Sequence, residues 1–341
     1  DDTRCRMVGV ELLLLPLMGP WHLRYGRYNA VVLRDLLAAN RPEALAATPL
    51  EPGFAARPDW QDTPELALPL ALVPWAQAQR LPVYGLLEPS PDAEAAADFR
   101  RYAAEYPQLG AAYRAVEAEL GGLGDLLNEG LDLGRVMSEV LPVLRRHQEA
   151  RERAFGDGPA SDWLRARARA MAERLLALPH ERLALLASAE HAPFLHEALG
   201  ERVRWLAPSP LEPSAASRER SLLDYALRGD APDPGRLLAQ LRELSGAEAR
   251  YHEANLLLAH DHPAEALEVL EAASAGDFSA PYFLPGYLLA RLGQLYDLAG
   301  RRARAEAAYR GALALSYAPE AAREAARAGL AEPFRLEPTG A

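Results

Sequence analysis

The chain has 341 residues, half of them apolar and a quarter charged, with 48 acidic against 37 basic side chains and a formal net charge of −11. That length holds material for two domains with cores of their own, and the acidic balance argues against a broad phosphate-binding surface, so no nucleic-acid partner is expected. The lone cysteine, Cys5, excludes an internal disulfide, and no apolar stretch approaches the roughly 20 residues that cross a bilayer. Lysine and isoleucine are absent, so arginine carries every fixed cation and leucine and valine build the core. The apolar run behind Arg4 and Arg6 is broken by Glu11 and followed by no small-residue cleavage site, which reads against a signal peptide. A cytoplasmic protein without a membrane partner is the expectation.

Val8 to Leu23, VGVELLLLPLMGPWHL, predicts a buried strand that breaks at Gly19-Pro20 and delivers Trp21 and His22 just past its end. Val31, Leu33, Leu36 and Leu37 recur at helical spacing up to Asn40, and Ala44 to Leu50 reads as a second strand. A loop rich in proline and aspartate leads to a helical segment, Glu65 to Gln79, which Pro69 and Pro74 should kink. Leu81 to Leu87 predicts a third strand.

From Asp92 to about Leu178 the pattern is helical, with Ser161 placed to cap the helix that carries Trp163, Arg167 and Met171. Strands are predicted again at Arg182 to Ser188 and Arg202 to Ala207, with a short helix between. Alternating strands and helices define an α/β fold with a mostly parallel sheet, here with a helical insertion. Residues 1–207 form this domain, the proline-rich stretch 208–217 is a linker, and 218–341 form a small all-α domain. In that part HEANLLLAHDHPAEALEVLEAAS and YLLARLGQLYDLAGRRARAEAAYRGALAL place small residues and aromatics in two similar helical hairpins. They resemble tetratricopeptide repeats, which implies a groove for a peptide or protein partner, while so short a stack suits docking onto the first domain equally well.

Chemistry is expected outside the carboxyl ends of the strands, where covering helices leave a crevice. His22 and His191 each follow an apolar run and a short turn, at GPWH and SAEH, so a parallel sheet would bring both to one edge. Taken singly, each reads as a hydrogen-bonded packing residue; together with a carboxylate they could hold a divalent metal that activates water. Glu51, Glu88 and Glu190 are the candidate carboxylates, and Arg167 could neutralise an anion or serve a structural ion pair. The HDH triplet at 260–262 reads as an exposed turn.

These motifs resemble the TraB/PrgY, TIKI protease, ChaN and erythromycin esterase-like superfamily over roughly residues 8–207. Gly19-Pro20-Trp21-His22 is similar to its first G-x-x-H, Arg41-Pro42 to the segment entering its second strand, Arg167 to its helix arginine, and the motif ending at His191 to its second motif. Ser188 stands where the second motif has glycine, and near the place of the family's acidic residue stands Thr48, with Glu51 three residues on. The resemblance implies a strand-end site with metal-dependent peptide hydrolysis, ester hydrolysis or, as in ChaN, haem binding. The expected function is hydrolysis of a peptide or ester substrate around His22 and His191, with or without a divalent metal. The competing expectation is a non-catalytic protein that binds a ligand such as haem or acts through its helical repeats.

Overall fold

A computed structural model of the chain describes residues 10–57, 59–88, 93–208 and 212–336. Cys5, the start of the opening apolar run and residues 209–211 of the proline-rich stretch lie outside the described residues. The chain forms two compact units, one of residues 1–56 and 63–217, the other of residues 57–62 and 218–341.

The first unit is α/β. Its five strands, β1 (Glu11–Leu17), β2 (Ala44–Ala47), β3 (Val83–Gly85), β4 (Arg182–Ser188) and β5 (Val203–Trp205), form one sheet in the order β3-β2-β4-β1-β5. Every pairing is parallel. Leu12 to Leu15 and Leu17 are all buried, as a strand covered on both faces requires, which is why β1 reads as a continuous apolar run rather than an alternating one. Helix α1 (Ala30–Asn40) carries the chain from β1 to β2. Asn29 starts it by accepting the amides of Val31 and Val32 on its side-chain oxygen.

The segment after β2 departs from regular helix where its prolines predict. Leu68–Leu72 winds as one wide π turn before α2 (Val73–Ala78), because Pro69 and Pro74 have no N–H to give to the i−4 ladder. Between β3 and β4 lies the helical insertion, α3 (Ala93–Glu105), α4 (Pro107–Glu117), α5 (Leu123–Leu127), α6 (Leu133–Arg135), α7 (Leu141–Phe155) and α8 (Leu164–Leu176). Leu12 and Leu14 pack with Met171 and Leu175 of α8 and with Phe194 of α9 (Ala192–Leu199) in the main core. Ser161 does not cap α8: its hydroxyl accepts the Gly158 N–H and donates to the Gly158 carbonyl, closing the preceding turn, and the helix starts three residues later at Leu164.

The second unit is helical. Helix α10 (Ala215–Arg228) begins inside the stretch read as a linker, since no proline follows Pro213 there. It is followed by α11 (Pro234–Glu243), α12 (Ala247–Ala259), α13 (Pro263–Ser274), α14 (Leu284–Leu298), α15 (Arg302–Ala314) and α16 (Glu320–Ala331). The small residues of the hairpin pattern sit where helices meet. A methyl group on Gly293 or Gly329 would stand 2.3 or 2.2 Å from the ring of fully buried Tyr309, so that tyrosine fills the space both glycines leave. The Tyr309 hydroxyl donates to Asp297, which also pairs with Arg302 and accepts the Phe334 amide. Between α10 and α12, buried Arg220 donates to Asp224 at 2.7 Å and to both oxygens of Glu248 at 2.8 and 2.9 Å. No helix among the described residues is long and apolar enough to cross a membrane.

Candidate functional site

The sheet register sets the geometry. Leu17 of β1 lies opposite Ser188 of β4, and Ala47 of β2 opposite Leu186, so the segments that follow these three strands leave the sheet at one edge. Thr48, buried at the end of β2, accepts the Ser188 amide on its hydroxyl at 3.1 Å. After β1 the chain turns at Gly19, whose φ of +58° suits a residue without Cβ, and enters a 3₁₀ turn, Gly19–Arg24.

His22 lies on this turn, 1 % exposed, and both its ring nitrogens are engaged by backbone. The Met18 amide donates to Nε2 at 2.9 Å, so Nδ1 carries the proton and donates to the Tyr28 carbonyl at 2.6 Å. Tyr28 in turn donates its hydroxyl to the Pro16 carbonyl at 2.6 Å. The imidazole is therefore a clip that ties the end of β1 to the loop before α1. Burial holds its pKa down at about 4, against the raising effect of the Tyr28 contact, and the ring is neutral at pH 7.

His191 is the opposite case. It stands at the start of α9, 4 % exposed, and neither ring nitrogen has a hydrogen-bond partner. A buried imidazole without partners is costly. Its pKa is pushed down to about 4, first by burial and then by the Arg167 charge, with Asp162 pulling the other way. Glu190 beside it, with Oε1 3.7 Å from His191 Nδ1, has a side chain 68 % exposed. The protein packed around that carboxylate raises its pKa and the Arg167 charge opposes this, but solvent at so open a group screens much of both effects.

Arg167 is held from two sides. Its Nη1 meets the Asp162 carboxylate at 2.5 Å and its Nε donates to the Glu88 carbonyl at 2.9 Å. Asp162 and Trp163 both have positive φ, 52° and 46°, a rare backbone conformation for side-chain-bearing residues that brings Asp162 round to the guanidinium. The Glu88 carboxylate is committed elsewhere, to Arg174 Nε at 2.6 Å. Glu51 is exposed after β2, and its carbonyl accepts the Phe54 amide. Of the three candidate carboxylates, Glu190 adjoins His191, while Glu88 contributes a carbonyl that positions Arg167.

The carboxylate buried at this edge is one that motif spacing does not single out. Glu65, 6 % exposed, accepts the Gly19 amide on Oε2 at 2.6 Å. Burial raises its pKa, the Ser188 hydroxyl and the Gly19 amide lower it, and the Glu190 charge raises it again. Its signal in the sequence is isolation: Glu65 is the only charged residue between Asp62 and Arg80, at the head of the apolar run LALPLALVPWA.

The donor set does not fit a divalent metal between the two histidines, because the only lone pair on the His22 ring is spent on the Met18 amide. Among the described residues no group of three or more histidine, cysteine or acidic side chains could hold a metal ion, and the HDH triplet is a turn with Asp261 at φ 62°. For haem, too, His22 has no nitrogen to offer as an axial ligand.

The fold is that of an α/β protein whose strand-end edge carries buried Glu65 and buried His191, with Glu190 beside the imidazole and Arg167 of α8 fixed by Asp162 and the Glu88 carbonyl. No family model matches the chain, and no curated protein and no solved structure is similar to it at a significant level.

Proposed function

We propose that the chain is a hydrolase of ester or peptide bonds that works through Glu65, His191 and Arg167 without a metal. The observation that supports this most is the Glu65 carboxylate, buried at the sheet edge, fixed by the Gly19 amide and made more basic by burial and by the Glu190 charge. A carboxylate with a raised pKa is suited to take a proton from water and return it to a leaving group. His191, neutral at pH 7 and with both ring nitrogens uncommitted, supplies one donor and one acceptor to orient the water or the substrate carbonyl. Arg167, held rigid by Asp162 and the Glu88 carbonyl, stabilises the oxyanion as it forms. In the sequence of events the water loses its proton to Glu65 as its oxygen attacks the carbonyl, and the proton passes to the departing alcohol or amine as the tetrahedral intermediate collapses.

This reading agrees with the resemblance to the TraB/PrgY, TIKI, ChaN and erythromycin esterase-like superfamily, in particular with its ester-hydrolysing branch. In it the clip role of His22 replaces the metal-ligand role, and the tetratricopeptide-like helical unit offers a surface to a protein partner in the cytoplasm. The test is a panel of chromogenic esters and fluorogenic peptides, run with and without EDTA. Turnover that survives EDTA is expected. Turnover abolished by EDTA and restored by a metal would contradict the metal-free reading, and an inert wild type would favour the ligand-binding alternative.

A further inference from the structure

A cavity of about 550 Å³ lies within the α/β unit and shares no residue with the edge that carries Glu65 and His191. One of its walls is helix α1, where Val32, Leu36 and Ala39 fall at i, i+4 and i+7 and so share an apolar face. Down to Asn40 the lining follows that helix for about 12 Å, at the helical rise per residue. Another wall is the chain that follows β5, from Ala207 to Ser217, and Leu133 at the start of α6 adds a third apolar surface. Volumes of this order with mostly apolar walls are those of small-molecule sites.

The cavity is built before any ligand arrives, because hydrogen bonds tie its walls together. The Ser214 hydroxyl donates to the Asp35 carboxylate at 3.2 Å, and the Asn29 side-chain amide donates to the Ser217 carbonyl at 2.9 Å.

Those bonds and their neighbours also decide what chemistry is left over. Donors in the lining are largely spent: the Ser217 hydroxyl on the Ser214 carbonyl at 3.0 Å, the Ser217 amide on the Ser214 hydroxyl at 3.1 Å, and the Asn40 side chain on the Leu36 carbonyl at 2.8 Å. Acceptors are not. Asp132 uses Oδ1 to cap α6 through the Arg135 amide at 2.9 Å, and its Oδ2 takes no donor among the described residues. Glu212 is exposed and makes no ion pair among the described residues, whereas Asp35 is already satisfied by Arg34 at 2.7 Å. Three carboxylates against the single guanidinium of Arg27 leave the lining negative. An ammonium group is the complement of such a lining, with three donors, no acceptor and a positive charge.

We propose that this cavity binds a small organic cation, a primary amine on an aliphatic body, with its ammonium on Asp132 and Glu212 and its chain along Val32, Leu36 and Ala39. Charge complementarity selects the head group and the apolar face of α1 selects the body.

The experiment titrates the full chain with three probes that share one body, n-hexylamine, n-hexanol and n-hexanoate, and follows binding by saturation-transfer NMR of the probe methylenes. Hexylamine should bind about tenfold more tightly than hexanol, as a charge-assisted hydrogen bond allows, and hexanoate should bind least. Two variants separate the cavity from general attraction to an acidic protein. Ala39→Trp fills the groove from an exposed position without changing charge and should abolish binding. Asp132→Asn with Glu212→Gln removes two charges, keeps an oxygen for the α6 cap, and should weaken hexylamine about fivefold or more while leaving hexanol unchanged. Equal binding of hexylamine and hexanol, no binding of hexylamine, or hexylamine binding that survives either variant would each overturn the proposal. Tightest binding of hexanoate would overturn it too, by showing that Arg27 sets the preference. None of these readouts needs turnover, so they stand whether or not Glu65 proves to be a catalytic base.

Discussion

Replacing His22 by alanine tests whether its ring is a structural clip. The substitution leaves the Met18 amide and the Tyr28 carbonyl buried without their partners at 2.9 and 2.6 Å. Each orphaned group costs about 1–3 kcal/mol, and together with the lost packing we expect a destabilisation of about 3–5 kcal/mol in the transition of the first unit. The imidazole also gives stability a pH dependence of known sign. Its pKa falls from 6.5 in the unfolded chain to about 4 in the folded one. Above 6.5 neither state is protonated and the contribution is complete; as pH falls from 6.5 to 4, only the unfolded state takes up the proton. At about 1.4 kcal/mol per pH unit this withdraws about 3 kcal/mol by pH 4. Urea unfolding at several pH values between 7 and 4, with and without EDTA, reads both effects. His22→Ala should unfold at lower urea at pH 7 and show a shallower loss on acidification, with EDTA without effect on either protein. A variant within about 0.5 kcal/mol of wild type at pH 7, or wild type weakened by EDTA to the level of the variant, would refute the clip.

Arg167→Met should lower turnover by about 100-fold, the scale seen when one oxyanion donor is removed, and Arg167→Lys should not restore it because an ammonium cannot reach Asp162 and the Glu88 carbonyl in one plane; steady-state kinetics read both. Gly293→Ala forces a methyl group against the Tyr309 ring and should cost the helical unit about 1–3 kcal/mol, seen as an earlier thermal transition. Arg220→Met strands Asp224 and Glu248 as buried acids, and a loss of about 3–5 kcal/mol in the same transition is expected.

The strands were legible because a sheet covered on both faces demands unbroken apolar runs, and LLLL of β1 and LALLA of β4 supply them. The kink after Glu65 was legible for a similar reason, since a proline's missing N–H acts locally. Residues 57–62 could not be assigned to the helical unit from sequence, because no local pattern records what a loop packs against. At the site, the register of β1 on β4 follows from topology, so the approach of the GPWH and SAEH segments to one edge could be anticipated. What His22 does there could not, since its partners are backbone groups of Met18 and Tyr28, and any residue type would offer the same amide and carbonyl. Glu65 carries no motif of its own: the acidic position of the superfamily that the chain resembles falls near Thr48 and Glu51, whereas Glu65 comes to this edge only after the loop returns. Ser161 has the composition of a cap, but the positive φ of Asp162 and Trp163 delays the helix beyond its reach.

The most direct measurement is the turnover of a chromogenic ester by wild type and Glu65→Gln, each over pH 4 to 8 and in EDTA. The glutamine keeps an oxygen for the Gly19 amide but cannot accept a proton. Wild-type activity should rise with pH through a pKa above the usual 4.5 of glutamate, as the raised pKa of Glu65 requires, and should be indifferent to EDTA. Glu65→Gln should lose a factor of about 10²–10⁴ in kcat, with little change in stability. A glutamine variant that turns over as fast as wild type would contradict the account.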